Sequence, residues 1–263
     1  MPDIEIELAA GRYRVEQKLG SGPRTVVYAA HDTLLDAPRA LKLIRAGERD
    51  ELEVRQRFLT EARVLARVTH ANVVRMFDYL HDEEHGPVLV MERARGVLRD
   101  VAPVWPLPPR RAAEVADQVL AGLGVLHGLG VVHRDLRIDN LLWGSSGHVL
   151  LSDLSSSRLS SETRLFHTQP GDELGLALNV APEARFEPSK ATAQSDLYSV
   201  GSLMFTLLTG QAPPDLSLSF MSDRVLEPLP EPFRPIVQRA TAHEPAQRYA
   251  SAGAMRQALQ HLG

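Results

Sequence analysis

Strand-like alternation of apolar and polar positions dominates the chain up to Met91, with one helical interruption, and helical periodicity dominates after it. Tyr13-Arg-Val-Glu-Gln-Lys-Leu19 alternates as a strand does, Val26-Val27-Tyr28 opens a second strand, and Ala40–Ile44 forms a third with Lys42 at its centre. Between Leu52 and Val68, Phe58, Ala62, Leu65 and Ala66 fall at i, i+4, i+7 and i+8, which predicts a helix with Glu61 at the rim of its apolar face. Asn72–Tyr79 and Pro87–Met91 read as two further strands, completing an antiparallel sheet of about five. Val101–Pro109 is rich in proline and predicts a loop or a broken helix. Arg110–Leu129 then places Ala112, Val115, Ala116, Val119, Leu120 and Leu123 on the 3.6-residue period of a buried helix. Leu141–Trp143 and Val149–Leu151 are short strands around a Gly144-Ser-Ser-Gly147 turn. Gln194–Gly210 is apolar nearly all round, and Arg234–Leu262 predicts two closing helices, with Ser251 placed to cap the last.

Composition narrows the class without naming a function. The 263 residues are 44% hydrophobic and 24% charged, a folded chain of one two-lobed domain or two small ones. A formal net charge of −4 points to neither nucleic acid nor an anionic membrane as partner. No run approaches the 18 or more apolar residues of a span, and no secretory signal opens the chain. Cysteine is absent, which excludes disulfides and thiolate chemistry and fits a cytoplasmic protein. The abundance of Ala, Leu, Arg and Pro suggests a GC-rich bacterial source.

Chemistry concentrates between His133 and Asp153. The hairpin there brings its two ends together, so Asp135, Asn140 and Asp153 converge at one mouth. Two carboxylates and an amide are hard oxygen donors of the kind a divalent hard cation takes. Read alone, the same residues also serve as turn formers and a polar strand end. Gly20-Ser21-Gly22 is either an ordinary hairpin turn or a place where backbone amides approach a phosphate. Lys42, by strand statistics, is a snorkelling edge lysine; the alternative is a paired lysine at a site.

The spelling of the loop decides among these. His133-Arg134-Asp135-Leu136-Arg137-Ile138-Asp139-Asn140 matches the His-Arg-Asp-Leu-x-x-x-Asn catalytic loop of protein kinases, and the chain resembles a eukaryotic-type protein kinase, closest in pattern to bacterial serine/threonine kinases. The resemblance implies an α+β fold of two lobes, an antiparallel-sheet N-lobe with one helix over 1–92, a hinge at 93–96 and a mostly helical C-lobe over 97–263. It implies ATP as cofactor with Mg2+ (or Mn2+), a protein substrate bearing Ser or Thr, and no further sensor domain. Asp135 would act on the substrate hydroxyl, with Arg137 beside it, and Lys42, held by Glu61, would position the α- and β-phosphates. Asn140 and Asp153 would hold the metal. Leu19, Gly20, Ser21, Gly22, Val27, Ala40, Met91 and Leu142 would enclose the nucleotide, with backbone groups near Glu92 and Ala94 bonding adenine. Ala181-Pro182-Glu183 would close the activation segment, Arg248 would pair with Glu183, and Asp196 would hold the backbone of the catalytic loop.

Several positions depart from that family pattern. Thr25 replaces the third glycine, Asp153-Leu154-Ser155 replaces Asp-Phe-Gly, Arg137 stands for lysine, and Leu176 and Asn179 stand for threonine and tyrosine. They sustain a second reading, a nucleotide-binding pseudokinase or scaffold, and a third, a small-molecule phosphotransferase on the same fold. The resemblance also implies, through Arg134 next to Asp135, control by phosphorylation of the segment that follows Asp153, with autophosphorylation expected at one or both of Thr163 and Thr168 through a transient homodimer. The competing reading pairs Arg134 with an acid such as Glu162 or Asp172.

Overall fold

The computed structural model describes residues 7–159, 177–218 and 223–261. Six strands build an antiparallel sheet: β1 (Glu7–Leu8), β2 (Tyr13–Ser21), β3 (Thr25–Asp32), β4 (Ala37–Ile44), β5 (Met76–Asp82) and β6 (Gly86–Met91), in the order β1-β2-β3-β4-β6-β5. Helix α1 (Leu52–Leu65) sits between β4 and β5 in sequence. Successive side chains of a strand face opposite sides, so β4 divides its residues between two layers. Leu41 and Leu43 join Tyr13, Val15, Val88 and Val90 in an outer cluster. Ala40 and Ile44 join Leu89, Met91 and the α1 residues Val54, Phe58 and Ala62 in the main core, which continues into the other lobe. Lys42 shares parity with Ala40 and Ile44 and therefore points inward.

The second lobe begins with β7 (Gly96–Val97) and α2 (Leu98–Val101), followed by α3 (Pro109–Gly128), β8 (Val131–Val132), β9 (Leu141–Trp143), β10 (Val149–Leu151) and β11 (Arg158–Leu159). Strands β10-β9-β7 form a small sheet, and β11 pairs with β8. Helices α4 (Pro182–Phe186), α5 (Ala193–Thr209), α6 (Arg234–Ala240) and α7 (Ala252–Gln260) complete the lobe. Twelve residues of α5 are buried, which explains its apolar character on every side. It starts with a capping box between Thr192 and Ser195 and ends at Gly210 in the left-handed region (φ 73°). Ser251 caps α7, its hydroxyl accepting from the Ala254 amide at 3.1 Å.

Two expectations about strands need correction, while the loop expected near 101–109 is present. The sheet has six strands rather than about five, because Glu7–Leu8 folds back on Tyr13–Arg14. As expected, residues 102–108 form an irregular stretch, between α2 and α3, with a cis Trp105–Pro106 bond. The strand expected over Asn72–Tyr79 begins only at Met76, because residues 72–74 are committed elsewhere. Leu151 of β10 donates its amide to the Asn72 carbonyl and accepts from the Val74 amide, each at 2.9 Å. The Asn72 side chain donates to the Val149 carbonyl (2.9 Å) and to Gln118 Oε1 on α3 (3.1 Å). A segment of the first lobe is thereby tied to the second.

That tie requires a glycine. A Cβ at position 122 would stand 2.7 Å from the Asn72 carbonyl oxygen and 2.8 Å from Leu151 Cδ1. Gly122→Ala gains helix propensity but overpacks the contact. A net loss of about 1–3 kcal/mol is expected, read as a lowered urea midpoint at unchanged slope.

Candidate active site

Lys42 lies in the middle of the sheet, with β3 on one side and β6 on the other, and not at an edge. Its ammonium has three N–H groups, and three carboxylate oxygens receive them: Glu61 Oε1 at 2.9 Å, Glu61 Oε2 at 2.7 Å and Asp153 Oδ1 at 2.9 Å. The lysine is only 5% exposed and Glu61 1%. Glu61 is therefore inside the α1 contact rather than at its rim. Burial disfavours the charge on Lys42, but the fields of Asp153 and Glu61 outweigh it and raise its pKa. Burial raises Glu61, against the opposing pull of Lys42, while the half-buried Asp153 is held well below the ordinary range despite its desolvation, chiefly by Lys42 and the Ser155 hydroxyl.

The loop from His133 to Asn140 is shaped by a buried carboxylate. Asp196 near the start of α5 accepts from the backbone amides of His133 and Arg134, each at 2.9 Å, and from His127 Nε2 at 2.8 Å. Held so, Arg134 adopts φ 72°, a left-handed conformation costly for a side chain with a Cβ. Asn140 Nδ2 donates to the Asp135 carbonyl (2.7 Å) and to Asp135 Oδ2 (3.0 Å). The Ser152 amide and hydroxyl both reach the Asn140 carbonyl at 3.0 Å, which joins this loop to the Asp153 turn. Asp135 with Asn140 and Asp153 with Lys42 and Glu61 thus form two hydrogen-bonded sets, connected through Ser152, the residue before Asp153. His127 was the piece sequence reasoning missed; its spacing of four and seven residues from buried Leu123 and Leu120 was the available signal.

Arg137 is placed differently. Its guanidinium is engaged by Asp139 (Nε 2.9 Å, NH2 2.6 Å), with Arg99 on the other oxygen at 3.4 Å. Among the described residues no hydrogen bond joins Arg137 to Asp135.

The remaining cleft residues suit a nucleotide. Val27 opposes Lys42 across the sheet and Ala40 opposes Met91, so these side chains share the inward face, and Leu142 lies in β9. Leu19, Gly20, Ser21 and Gly22 form the exposed end of the β2–β3 hairpin, with a register shift between Lys18 and Gly20. The Glu92 amide is spent on the Arg75 carbonyl at 2.9 Å. Among the described residues no hydrogen bond uses the Glu92 carbonyl or the Ala94 amide, an acceptor and a donor free for a base edge. No group of three His, Cys, Asp or Glu side chains capable of holding a metal occurs among the described residues. A divalent ion here would have one carboxylate and one amide from the chain, which fits Mg2+ completed by phosphates and water.

A family profile described as "Protein kinase domain" matches residues 13–261. The chain belongs to the protein kinase family. It is 36% identical over 266 residues to the serine/threonine-protein kinase PknL of Mycobacterium tuberculosis, covering 96% of this chain and 66% of that one. It is 30% identical to the serine/threonine-protein kinase PrkC of Bacillus subtilis, covering 92% of this chain and 39% of that one. The chain therefore spans less than two thirds of the length of these curated relatives. The PknI kinase domain of Mycobacterium tuberculosis, solved as a double mutant, superposes with a TM-score of 0.71 at 20% identity, over 98% of this chain and 97% of that one. That likeness shows the same two-lobed kinase fold. No described helix is long and apolar enough to cross a membrane.

Outside the cleft, Glu183 Oε1 and Oε2 receive Arg248 NH1 and NH2 at 2.7 and 2.8 Å, and Ser195 Oγ donates to Oε1 at 2.7 Å. Residues 160–176, which include Thr163, Thr168, Glu162, Asp172 and Leu176, lie outside the described residues. Asn179 is described, its carbonyl accepting from the Ser199 hydroxyl at 2.8 Å.

Two outcomes are expected. Lys42→Met leaves Glu61 buried without its counter-charge and should cost roughly 3–5 kcal/mol in chemical unfolding; adding Glu61→Gln should recover part of that loss, and strict additivity would mean the pair is not coupled. Burial opposes the Glu183 charge, but the bonds from Arg248 and Ser195 prevail and lower its pKa below the ordinary 4.5. Its stabilisation is then complete above about pH 4.5 and lost as pH falls through the folded value. The stability gap between wild type and Glu183→Gln should be widest near neutrality and close on acidification.

Proposed function

We propose that the chain is an ATP-dependent serine/threonine protein kinase that transfers the γ-phosphoryl group to a protein hydroxyl, its own included. The observation that carries this is the single bonded set of Lys42 with Glu61 and Asp153, next to Asp135 and Asn140. In this reading Lys42 binds the α- and β-phosphates and Glu61 keeps its ammonium in place. Asn140 and Asp153 hold the divalent ion, Mg2+ or Mn2+ in its place, and that ion supplies neutralisation of phosphate charge. Asp135, oriented by Asn140, accepts the proton of the substrate hydroxyl as its oxygen bonds to phosphorus and ADP departs. The hairpin of Gly20 to Gly22 covers the phosphates, and residues 93–96 join the two lobes around the base. Thr163 and Thr168 are the proposed autophosphorylation sites, presented by one copy of the chain to another.

A second reading, a nucleotide-binding pseudokinase, is favoured by the Arg137–Asp139 pairing, which turns a cation of the catalytic loop away from Asp135. Incubation with ATP and Mg2+ followed by intact-mass measurement separates the two. Mass increments of one phosphate are expected for the wild type, with Asp135→Asn reducing the rate roughly 10²- to 10⁴-fold. Binding of nucleotide with no increment on the chain or on a generic protein substrate would leave the pseudokinase reading standing instead.

A further inference from the structure

Ser155 occupies a place where the family pattern has glycine, and its side chain is not idle. Asp153 sits in the left-handed region (φ 58°, ψ 70°) and heads a short 3-10 turn, Leu154–Ser156, anchored by the fully buried Leu154. The Ser155 hydroxyl reaches Asp153 Oδ1 at 2.6 Å, and the Ser155 amide lies 3.4 Å from the same oxygen. A carboxylate only accepts, so the hydroxyl donates. Lys42 Nζ donates to this oxygen as well, at 2.9 Å. Every hydrogen bond to the Asp153 side chain among the described residues therefore ends on Oδ1, and none on Oδ2.

The two donors to Oδ1 differ in permanence. Lys42 comes from the other lobe, 111 residues away, and is shared with Glu61. A nucleotide phosphate would compete for its N–H groups. Ser155 lies two residues away in the same turn and keeps its bond whatever the lobes do. A glycine there would retain the long amide contact and lose the short charge-assisted one. The turn is right-handed at Ser155, so a Cβ is accommodated without strain.

We propose that Ser155 is a positioning residue of the metal site: its hydroxyl fixes the rotation of the Asp153 carboxylate by holding Oδ1, and so presents Oδ2 to the divalent ion. The inference rests on the reading of the cleft as a metal–nucleotide site.

The test measures ADP affinity by calorimetry with Mg2+ and with EDTA, on wild type, Ser155→Ala, Ser155→Gly and Ser155→Thr, each first shown folded by its melting temperature. The quantity read is the enhancement of ADP affinity by Mg2+. Ser155→Ala and Ser155→Gly should each lower it by roughly threefold to tenfold, as expected for the net contribution of one ordinary hydrogen bond acting through the orientation of a ligand. Affinity in EDTA should stay within about twofold, and Ser155→Thr should restore the enhancement. A Ser155→Ala protein with the wild-type enhancement overturns the proposal, as does equal weakening with and without metal, or a threonine variant that fails to rescue. Wild-type binding that ignores Mg2+ would overturn the metal-site reading first and this inference with it.

Discussion

The position of the first lobe's parts depends on one buried ammonium. Lys42 of β4 delivers all three of its hydrogens to carboxylates, two on Glu61 of α1 and one on Asp153 of the second lobe. Sheet, helix and the turn after β10 are thus registered to each other by a single atom. Charges buried this deeply cannot be left uncompensated, whereas their net contribution to stability when paired is small. The value of the arrangement lies in specificity: among the described residues no other cation bonds Glu61 in the apolar contact between α1 and the sheet. Displacing α1 would strand a carboxylate, so helix position and lysine position are one variable.

The second lobe uses the same device on its backbone. Asp196, within the apolar body of α5, satisfies two consecutive amides and the imidazole of His127. A buried carboxylate with three donors is stable where an orphaned one is not, and the amides it takes hold Arg134 in its left-handed conformation. Arg248, its side chain fully enclosed, does likewise for Glu183 and for the carbonyls of Ala242, His243 and Gln194. In both cases interior charge determines the course of a loop that apolar packing would leave undetermined.

The strands, the long helices and the site loop were legible because their signals are local. Parity along Ala40–Ile44 and the period of Arg110–Leu129 need no partner to be read, whereas the loop from Asp135 to Asn140 took its meaning from the family resemblance of its spelling. Errors arose where the outcome depends on a distant segment. Lys42 reads as an edge residue unless one knows that β3 and β6 flank it. Glu61 reads as a rim charge unless the lysine opposite is in view. Asn72–Arg75 reads as the start of a strand, yet Leu151 and Gln118 claim hydrogen bonds of its first residues. His127 gave only a weak cue, a polar residue at the spacing of buried leucines, because its partner lies 69 residues away. The resemblance supplied roles for Lys42 and Glu61 that periodicity did not, and it named Arg137, whose guanidinium is bonded to Asp139.

The two lobes are tethered twice, at residues 91–96 and where Asn72–Val74 lies against Leu151. A rigid body pinned at two points keeps one degree of freedom, rotation about the line through the pins. Cleft opening then becomes a swing about that line rather than a general separation. Lys42 and Glu61 ride together on the moving side and keep their distance throughout. Asp153 belongs to the stationary side, so the Lys42–Asp153 bond responds to the angle, as does the contact of Glu61 with the Leu154 turn. The Gly20–Gly22 hairpin tip, projecting beyond the sheet's packed core, travels the longest arc for any given swing.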